Sequence, residues 1–266
     1  MTKDVTRRMS RLRDLSFPLV VAHRGFRTRA PENTLAAFEA AATAGAAMIE
    51  FDVGLTRDGV PVVIHDAEVD RTTDGVGRVD DLTLAEIQAL DAGGWFHPRF
   101  AGERVPTLAQ VLDRMGGRVA LNIEIKPEAA VPRFQNGSGI EPVERQVMAM
   151  VQARGLAESV LISSFDGGVL DRLAAARAPL ALGVLAERGD VAEAVRRCLR
   201  LGAFSWHPDF RRLSADAVRR VRQETGARIL PYTVNDPAEM DKLLALGADG
   251  FFTDDPAAAR RRMGRE

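Results

Sequence analysis

The chain has 266 residues, of which 46% are apolar and 27% charged, a composition that excludes a disordered chain and a length close to the roughly 250 residues of a single (β/α)8 barrel. Lys and Arg number 36 against 37 Asp and Glu, for a net charge of -1, so no global field draws in nucleic acid or an anionic membrane and any anion site must be built locally. The single cysteine, Cys198, excludes a disulfide framework and a Cys-cluster zinc site, and the early apolar stretch at 15–22, broken by Ser16 and Pro18, is too short for a membrane span and is not preceded by an h-region with a small-residue cleavage site.

These observations predict a soluble cytoplasmic protein with no nucleic-acid partner and no stable membrane insertion; they leave the oligomeric state open. Residues 1–14 carry Arg7, Arg8, Arg11 and Arg13 and read as a polar, solvated N-terminal arm ahead of one catalytic domain over 15–266. Lys3, Lys126 and Lys242 are the only lysines among the 36 basic residues, which makes Lys126, inside an apolar run, conspicuous. Beyond the arm, short apolar runs predict strands at 19–23, 48–53, 120–125, 160–164, 181–185, 203–206, 229–233 and 250–253. Helical spacing fills the intervals, marked in turn by Leu35, Phe38 and Ala42; by Leu108, Val111 and Leu112; by Val191, Val195 and Leu199; by Val218 and Val221; and by Met240, Leu243 and Leu244. Gly45, Gly155, Gly202, Gly226 and Gly247 stand where helices should stop. Eight such units predict an α/β chain folded as a closed parallel TIM (β/α)8 barrel.

The run 61–66 (PVVIHD) is additional to the eight. It follows Asp58-Gly59, a signal for a two-residue hairpin loop. With that loop, paired residue numbers sum to 117, and His65 stands directly across from Asp52. The segment 67–105 has a helical period only at 84–90 and reads as a small insertion after the second strand, folded over the barrel mouth before the next helix begins at Thr107.

In a barrel of this kind the site forms at the C-terminal ends of the strands, so polar residues inside strand patterns carry most of the information. Glu50 and Asp52 are two apart and share a face, while Ile49, Phe51 and Val53 point to the other side. In the next barrel strand Asn122, Glu124 and Lys126 share a face in the same way. Three carboxylates from neighbouring strands cannot all stay ionised without a cation among them. Spacing alone allows two readings: a hard oxygen site for Mg²⁺ or Ca²⁺, or a salt-bridge cluster with Arg24 and Lys126. His23 ends the first strand and His65 lies near Asp52, a pair suited to moving protons in both directions near neutral pH. With Arg24 and Lys126 at the same mouth, the set describes a phosphoester site better than a sugar or carbonyl site. No GxGxxG follows the first strand, and GxxxxGK[ST], GxSxG and HExxH are absent.

His23-Arg24-Gly25, Pro31-Glu32-Asn33-Thr34, Glu50-Phe51-Asp52-Val53, Thr56-Arg57-Asp58-Gly59, His65-Asp66, Arg71-Thr72-Thr73 and Glu124-Ile125-Lys126 occur in order, and later Ser163-Ser164-Phe165-Asp166, Thr233-Val234-Asn235 and Thr253-Asp254. As an ordered set over about residues 20 to 256, they resemble the glycerophosphodiester phosphodiesterase family. The resemblance implies metal-dependent hydrolysis of glycerophosphodiesters to glycerol 3-phosphate and an alcohol. It implies Glu50, Asp52 and Glu124 as ligands of a divalent metal, Mg²⁺ or Ca²⁺; His23 and His65 as the general acid–base pair; and Arg24 and Lys126 as phosphate contacts. Glu32 would support Arg24 or His23, and 67–105 is similar to the family's insertion. Tyr232 departs from the family's usual Trp; with Phe165 and Trp206 it is a candidate wall of the glycerol pocket. Competing readings are a lysophospholipase D-like activity on acylated substrates, a non-catalytic phosphate-ligand binding barrel, and a metal-dependent sugar isomerase on the same fold.

Overall fold

A computed structural model of the chain describes residues 11–130, 140–177, 179–187 and 190–265. β1 (Leu19–His23) leads through α1 (Leu35–Thr43) to β2 (Met48–Leu55), which turns back as β3 (Pro61–Val63). The insertion follows, with the short helix α2 (Leu84–Ala89) between 3-10 turns at Val79–Asp81 and Pro98–Phe100. The strand–helix rhythm then resumes with α3 (Leu108–Met115), β4 (Ala120–Ile125), α4 (Pro127–Ala130), α5 (Val143–Ala153), β5 (Val160–Ser164), α6 (Gly167–Ala175), β6 (Ala181–Ala186) and α7 (Val191–Leu201). It ends with β7 (Ser205–Pro208), α8 (Ala215–Thr225), β8 (Arg228–Ile229), α9 (Pro237–Ala245), β9 (Gly250–Thr253) and α10 (Pro256–Arg262).

Eight parallel strands run in the order β8-β7-β6-β5-β4-β2-β1-β9, and β3 pairs antiparallel with β2. The ring closes between the last two barrel strands. Asp249 N–H donates to the Ile229 carbonyl (2.8 Å), Phe252 N–H to that of Pro231 (3.0 Å), and Val234 N–H to that of Phe252 (2.8 Å). The expected TIM barrel is therefore present. The strand expected at 229–233 keeps a regular ladder only over Arg228–Ile229, although the Leu230 and Tyr232 N–H groups still donate to the Trp206 and Pro208 carbonyls of β7 (2.9 and 3.0 Å).

Period-two alternation decides what lies inside the barrel. Leu19, Val21, Met48, Ala120, Leu161 and Phe252 fill its lower interior, and Leu12 seals the end from below. Two residues further along β1, β2 and β4 the inner face turns polar: His23 follows Val21, Glu50 and Asp52 follow Met48, and Asn122 and Glu124 follow Ala120. The alternate residues Ile49, Phe51, Val53, Ile123 and Ile125 are fully buried in the layer between strands and helices. β1, β2 and β4 are thus apolar where they must pack and polar on the inner face toward their C-terminal ends.

Residues 1–10 of the expected polar arm lie outside the described residues; Leu12–Asp14 form a 3-10 turn with Leu12 buried. The insertion has a small core of its own, built on Val62, Ile64, Val69, Val79, Ile87, Ala92 and Val105.

The hairpin differs from its expected register. Val53 pairs with Val63, Gly54 with Val62 and Leu55 with Pro61, so paired numbers sum to 116 and Ile64, not His65, stands across from Asp52. The loop is the three residues Arg57, Asp58 and Gly59: Thr56 N–H donates to the Val60 carbonyl (3.1 Å) and Gly59 takes a φ of 77°. Thr56 Oγ1 donates to Asp58 Oδ1 (2.6 Å) and accepts from Val60 N–H (2.9 Å), which selects this loop over the two-residue one.

Candidate active site

β2 and β4 are in register so that Asp52 lies beside Glu124, and β1 places His23 beside Glu50. Glu50, Asp52 and Glu124 each present a carboxylate oxygen within 4.8 Å of the other two. All three are buried. Two cations stand against them. Arg24 donates its backbone N–H to Glu50 Oε2 (2.9 Å), and its guanidinium lies 3.4 Å from Asp52 Oδ2. Lys126 Nζ is 3.1 Å from Glu124 Oε1 and 3.7 Å from Asp52 Oδ1. Asn33 Nδ2 donates to Asp52 Oδ2 (2.9 Å).

Burial opposes ionisation of Asp52, but Arg24, His65 and Lys126 outweigh it and hold this carboxyl below its ordinary range. Burial, with the charges of Asp52 and Glu124, pushes Glu50 well above it. Burial and Asp52 lift Glu124 to about 7 against the pull of Lys126. The protein alone therefore pushes two of the three acids toward protonation. Glu50 Oε1 is also buried with no hydrogen-bond partner. An orphaned carboxylate oxygen in an all-oxygen donor set, short of positive charge, fits a hard divalent cation.

Both predicted histidines face the same cavity. His23 Nδ1 is 2.7 Å from Asp254 Oδ1, and His65 Nδ1 is 2.5 Å from Asp66 Oδ1. Asp66 and Asp254 are both held below the usual carboxylate range: burial works against ionisation at each, and is outweighed by hydrogen bonds from Arg71 and His65 at Asp66, and from His23 with the charge of Arg27 at Asp254. Ionised carboxylates only accept, so Nδ1 of each ring donates and Nε2 is the basic atom of the neutral imidazole. Burial keeps both rings below the ordinary imidazole value; the Asp254 bond at His23 and the charge of Asp52 at His65 offset only part of this.

Glu32 sits behind this arrangement and does not touch His23. It is buried and bonds Arg24 Nη1 (2.8 Å), Arg27 Nη2 (2.8 Å) and both terminal nitrogens of Arg71 (3.1 and 2.8 Å). The cavity has a volume of about 770 Å³ and is lined by His23, Arg24, Glu50, His65, Glu124 and Lys126, and across from them by Phe165 and Tyr232. Those two rings meet edge to face at 5.9 Å. Trp206 does not reach the cavity. On β7 it is Ser205 and His207 that turn inward, while Trp206 alternates to the outside and is 1% exposed among the helices.

Sequence reasoning did not single out Asn33, Asp66, Arg71 or Asp254 as site residues. Three had a readable signal. Asp66 adjoins His65, Asn33 adjoins Glu32, and Asp254 ends the last strand next to β1. Arg71 stood out only as part of the Arg71-Thr72-Thr73 motif, because its role depends on how the insertion folds back.

The chain matches the model of the glycerophosphoryl diester phosphodiesterase family over residues 23–258. It is 41% identical over 240 residues to a glycerophosphodiester phosphodiesterase of Caldanaerobacter subterraneus subsp. tengcongensis, covering 90% of this chain and 94% of that one. It is 35% identical over 249 residues to a glycerophosphodiester phosphodiesterase of Bacillus subtilis, covering 90% and 84%. Among solved structures, a phosphodiesterase of Oleispira antarctica in complex with its product sn-glycerol-3-phosphate superposes with a TM-score of 0.81 at 30% identity, covering 93% of this chain and 97% of that one. With its barrel, its acidic cluster and matches of this extent, the chain belongs to the glycerophosphoryl diester phosphodiesterase family.

Proposed function

We propose that this phosphodiesterase hydrolyses glycerophosphodiesters to sn-glycerol 3-phosphate and an alcohol, using His23 and His65 as its proton-transfer pair and Glu50, Asp52 and Glu124 as ligands of one Mg²⁺ or Ca²⁺. The observation that carries this reading is the meeting, in one cavity, of three buried carboxylates and two imidazoles whose Nδ1 atoms are each held by an aspartate. When bound, the divalent ion supplies Lewis-acid polarisation of the phosphoryl oxygens.

The chain's own residues supply the rest. Arg24 and Lys126 line the cavity and offer positive charge to the non-bridging oxygens, Arg24 as a planar fork and Lys126 as a point charge. One imidazole, neutral, accepts at Nε2 the proton of the attacking hydroxyl, either water or the glycerol 2-hydroxyl. The other, protonated at Nε2, gives its proton to the departing alcohol oxygen as the P–O bond breaks. If the 2-hydroxyl attacks, the cyclic phosphate is opened by water with the two rings exchanging roles. Asp254 and Asp66 stabilise whichever ring is cationic and hold its Nε2 toward the cavity. Phe165 and Tyr232 wall the side opposite the acids, where the glycerol carbons would lie.

A product assay tests this. With Mg²⁺ or Ca²⁺ present, glycerophosphocholine should yield sn-glycerol 3-phosphate and choline, faster than lysophosphatidylcholine is cleaved. Absence of sn-glycerol 3-phosphate from every glycerophosphodiester supplied, under either metal, would overturn the reading.

A further inference from the structure

The two imidazoles are carried by different parts of the chain, His23 by β1 and His65 by the segment entering the insertion. A continuous series of ion pairs joins them. Behind His65, Asp66 Oδ2 accepts from Arg71 Nε (2.5 Å), and the terminal nitrogens of Arg71 reach both oxygens of Glu32 (3.1 and 2.8 Å). Glu32 also bonds Arg27 Nη2 (2.8 Å), and Arg27 Nη1 lies 3.6 Å from Asp254 Oδ1, the oxygen that meets His23 Nδ1 at 2.7 Å.

We propose that Arg71 is a positioning residue that fixes the two imidazoles relative to each other: it ties the carboxylate behind His65 to the buried carboxylate of Glu32, and through Arg27 and Asp254 to His23. The proposal rests on the reading of His23 and His65 as the proton-transfer pair. Geometry favours it in three ways. The guanidinium uses all three of its nitrogens, Nε on one acid and the fork on the other, which a lysine cannot reproduce. The loop bearing Arg71 is itself held: Val69 is buried in the insertion core, Thr73 Oγ1 donates to the Val69 carbonyl (2.8 Å), and Glu68 bridges to Arg78. Glu32 is fixed by two further arginines from the β1–α1 loop, so the link ends on the barrel and not on another mobile side chain.

The test uses the full chain with Mg²⁺ and follows kcat, KM and the imidazole NMR signals of His23 and His65. Arg71→Met and Arg71→Lys should each lower kcat at least tenfold with KM changed less than about threefold, and should move the Nδ1–H signals of both rings. Lysine keeps the charge that offsets Glu32, so Arg71→Lys remains informative if Arg71→Met folds poorly. Wild-type kcat in Arg71→Lys, or movement of the His65 signal alone, would overturn the proposal. His65→Ala measured alongside separates the two levels. Turnover retained there overturns the reading of His65 and this proposal with it. Turnover lost there, with wild-type kcat in both Arg71 variants, overturns the role of Arg71 alone.

Discussion

At His23 and His65, a carboxylate on Nδ1 fixes the tautomer, and burial holds each ring below the ordinary imidazole value. Acid–base work of this kind is worth on the order of 10²–10⁴-fold. His23→Ala and His65→Ala should therefore each lower kcat by at least about 10²-fold; near-normal turnover in either, measured with saturating glycerophosphocholine, removes that ring from the mechanism. Glu32 makes a different prediction. Burial works against its ionisation, but Arg71, Arg24 and Arg27 hold it down to about 2, against 4.5 for an unperturbed glutamate. Between those values the unfolded chain binds more protons at this position than the folded one. The stabilisation is complete above pH 4.5 and is lost as the pH falls through about 2, for a total on the order of 3 kcal/mol. Glu32→Gln should flatten the acid limb of a stability curve obtained by urea unfolding at successive pH values. An unchanged acid limb would contradict the account of Glu32.

Among the elements, the turn after β1 depends on a glycine. Gly25 has a φ of 84°, and a Cβ there would stand 2.8 Å from the Ala37 carbonyl carbon in α1, which cannot yield. Gly25→Ala should destabilise the protein by on the order of 1–3 kcal/mol and lower activity as well, since the neighbouring Arg24 N–H holds Glu50. Urea unfolding with wild-type midpoint and rate would contradict this. The elements also show what a sequence can and cannot reveal. Strands β2 and β4 were legible because inward acids alternate with outward Ile, Phe and Val. The shortness of β8 was not foreseen. The hairpin register escaped by one residue because Gly59 suits both a two-residue and a three-residue loop; the choice lies in the Thr56 side chain, which bonds Asp58 and Val60. That slip would have turned His65 away had the ladder continued, but β3 ends at Val63 and the loop beyond it carries the ring to the cavity.

For the whole molecule, the barrel gathers at one end of the ring groups that are distant in sequence, and the insertion beside them has a small core of its own. The primary cluster was legible because strand periodicity fixes which side chains face inward. The ion pairs that join Asp66, Arg71, Arg27 and Asp254 were not, because contacts between loops leave no period in the sequence, although Asp66, Arg71 and Asp254 themselves stand in the ordered motifs. Arg24 and Lys126 offset part of the cost of burying the three acids, and the acids in turn favour a divalent ion: Glu50 and Glu124 are pushed toward protonation when none balances them. Chelation should abolish turnover, and added Mg²⁺ or Ca²⁺ should restore it and raise the melting temperature, since a ligand that binds only the folded state stabilises it. The most direct measurement is an anomalous difference map from crystals soaked in Mn²⁺. One strong peak within coordination distance of Glu50, Asp52 and Glu124 is the predicted result. A map with no peak among these three carboxylates, from enzyme that still releases sn-glycerol 3-phosphate, would contradict it.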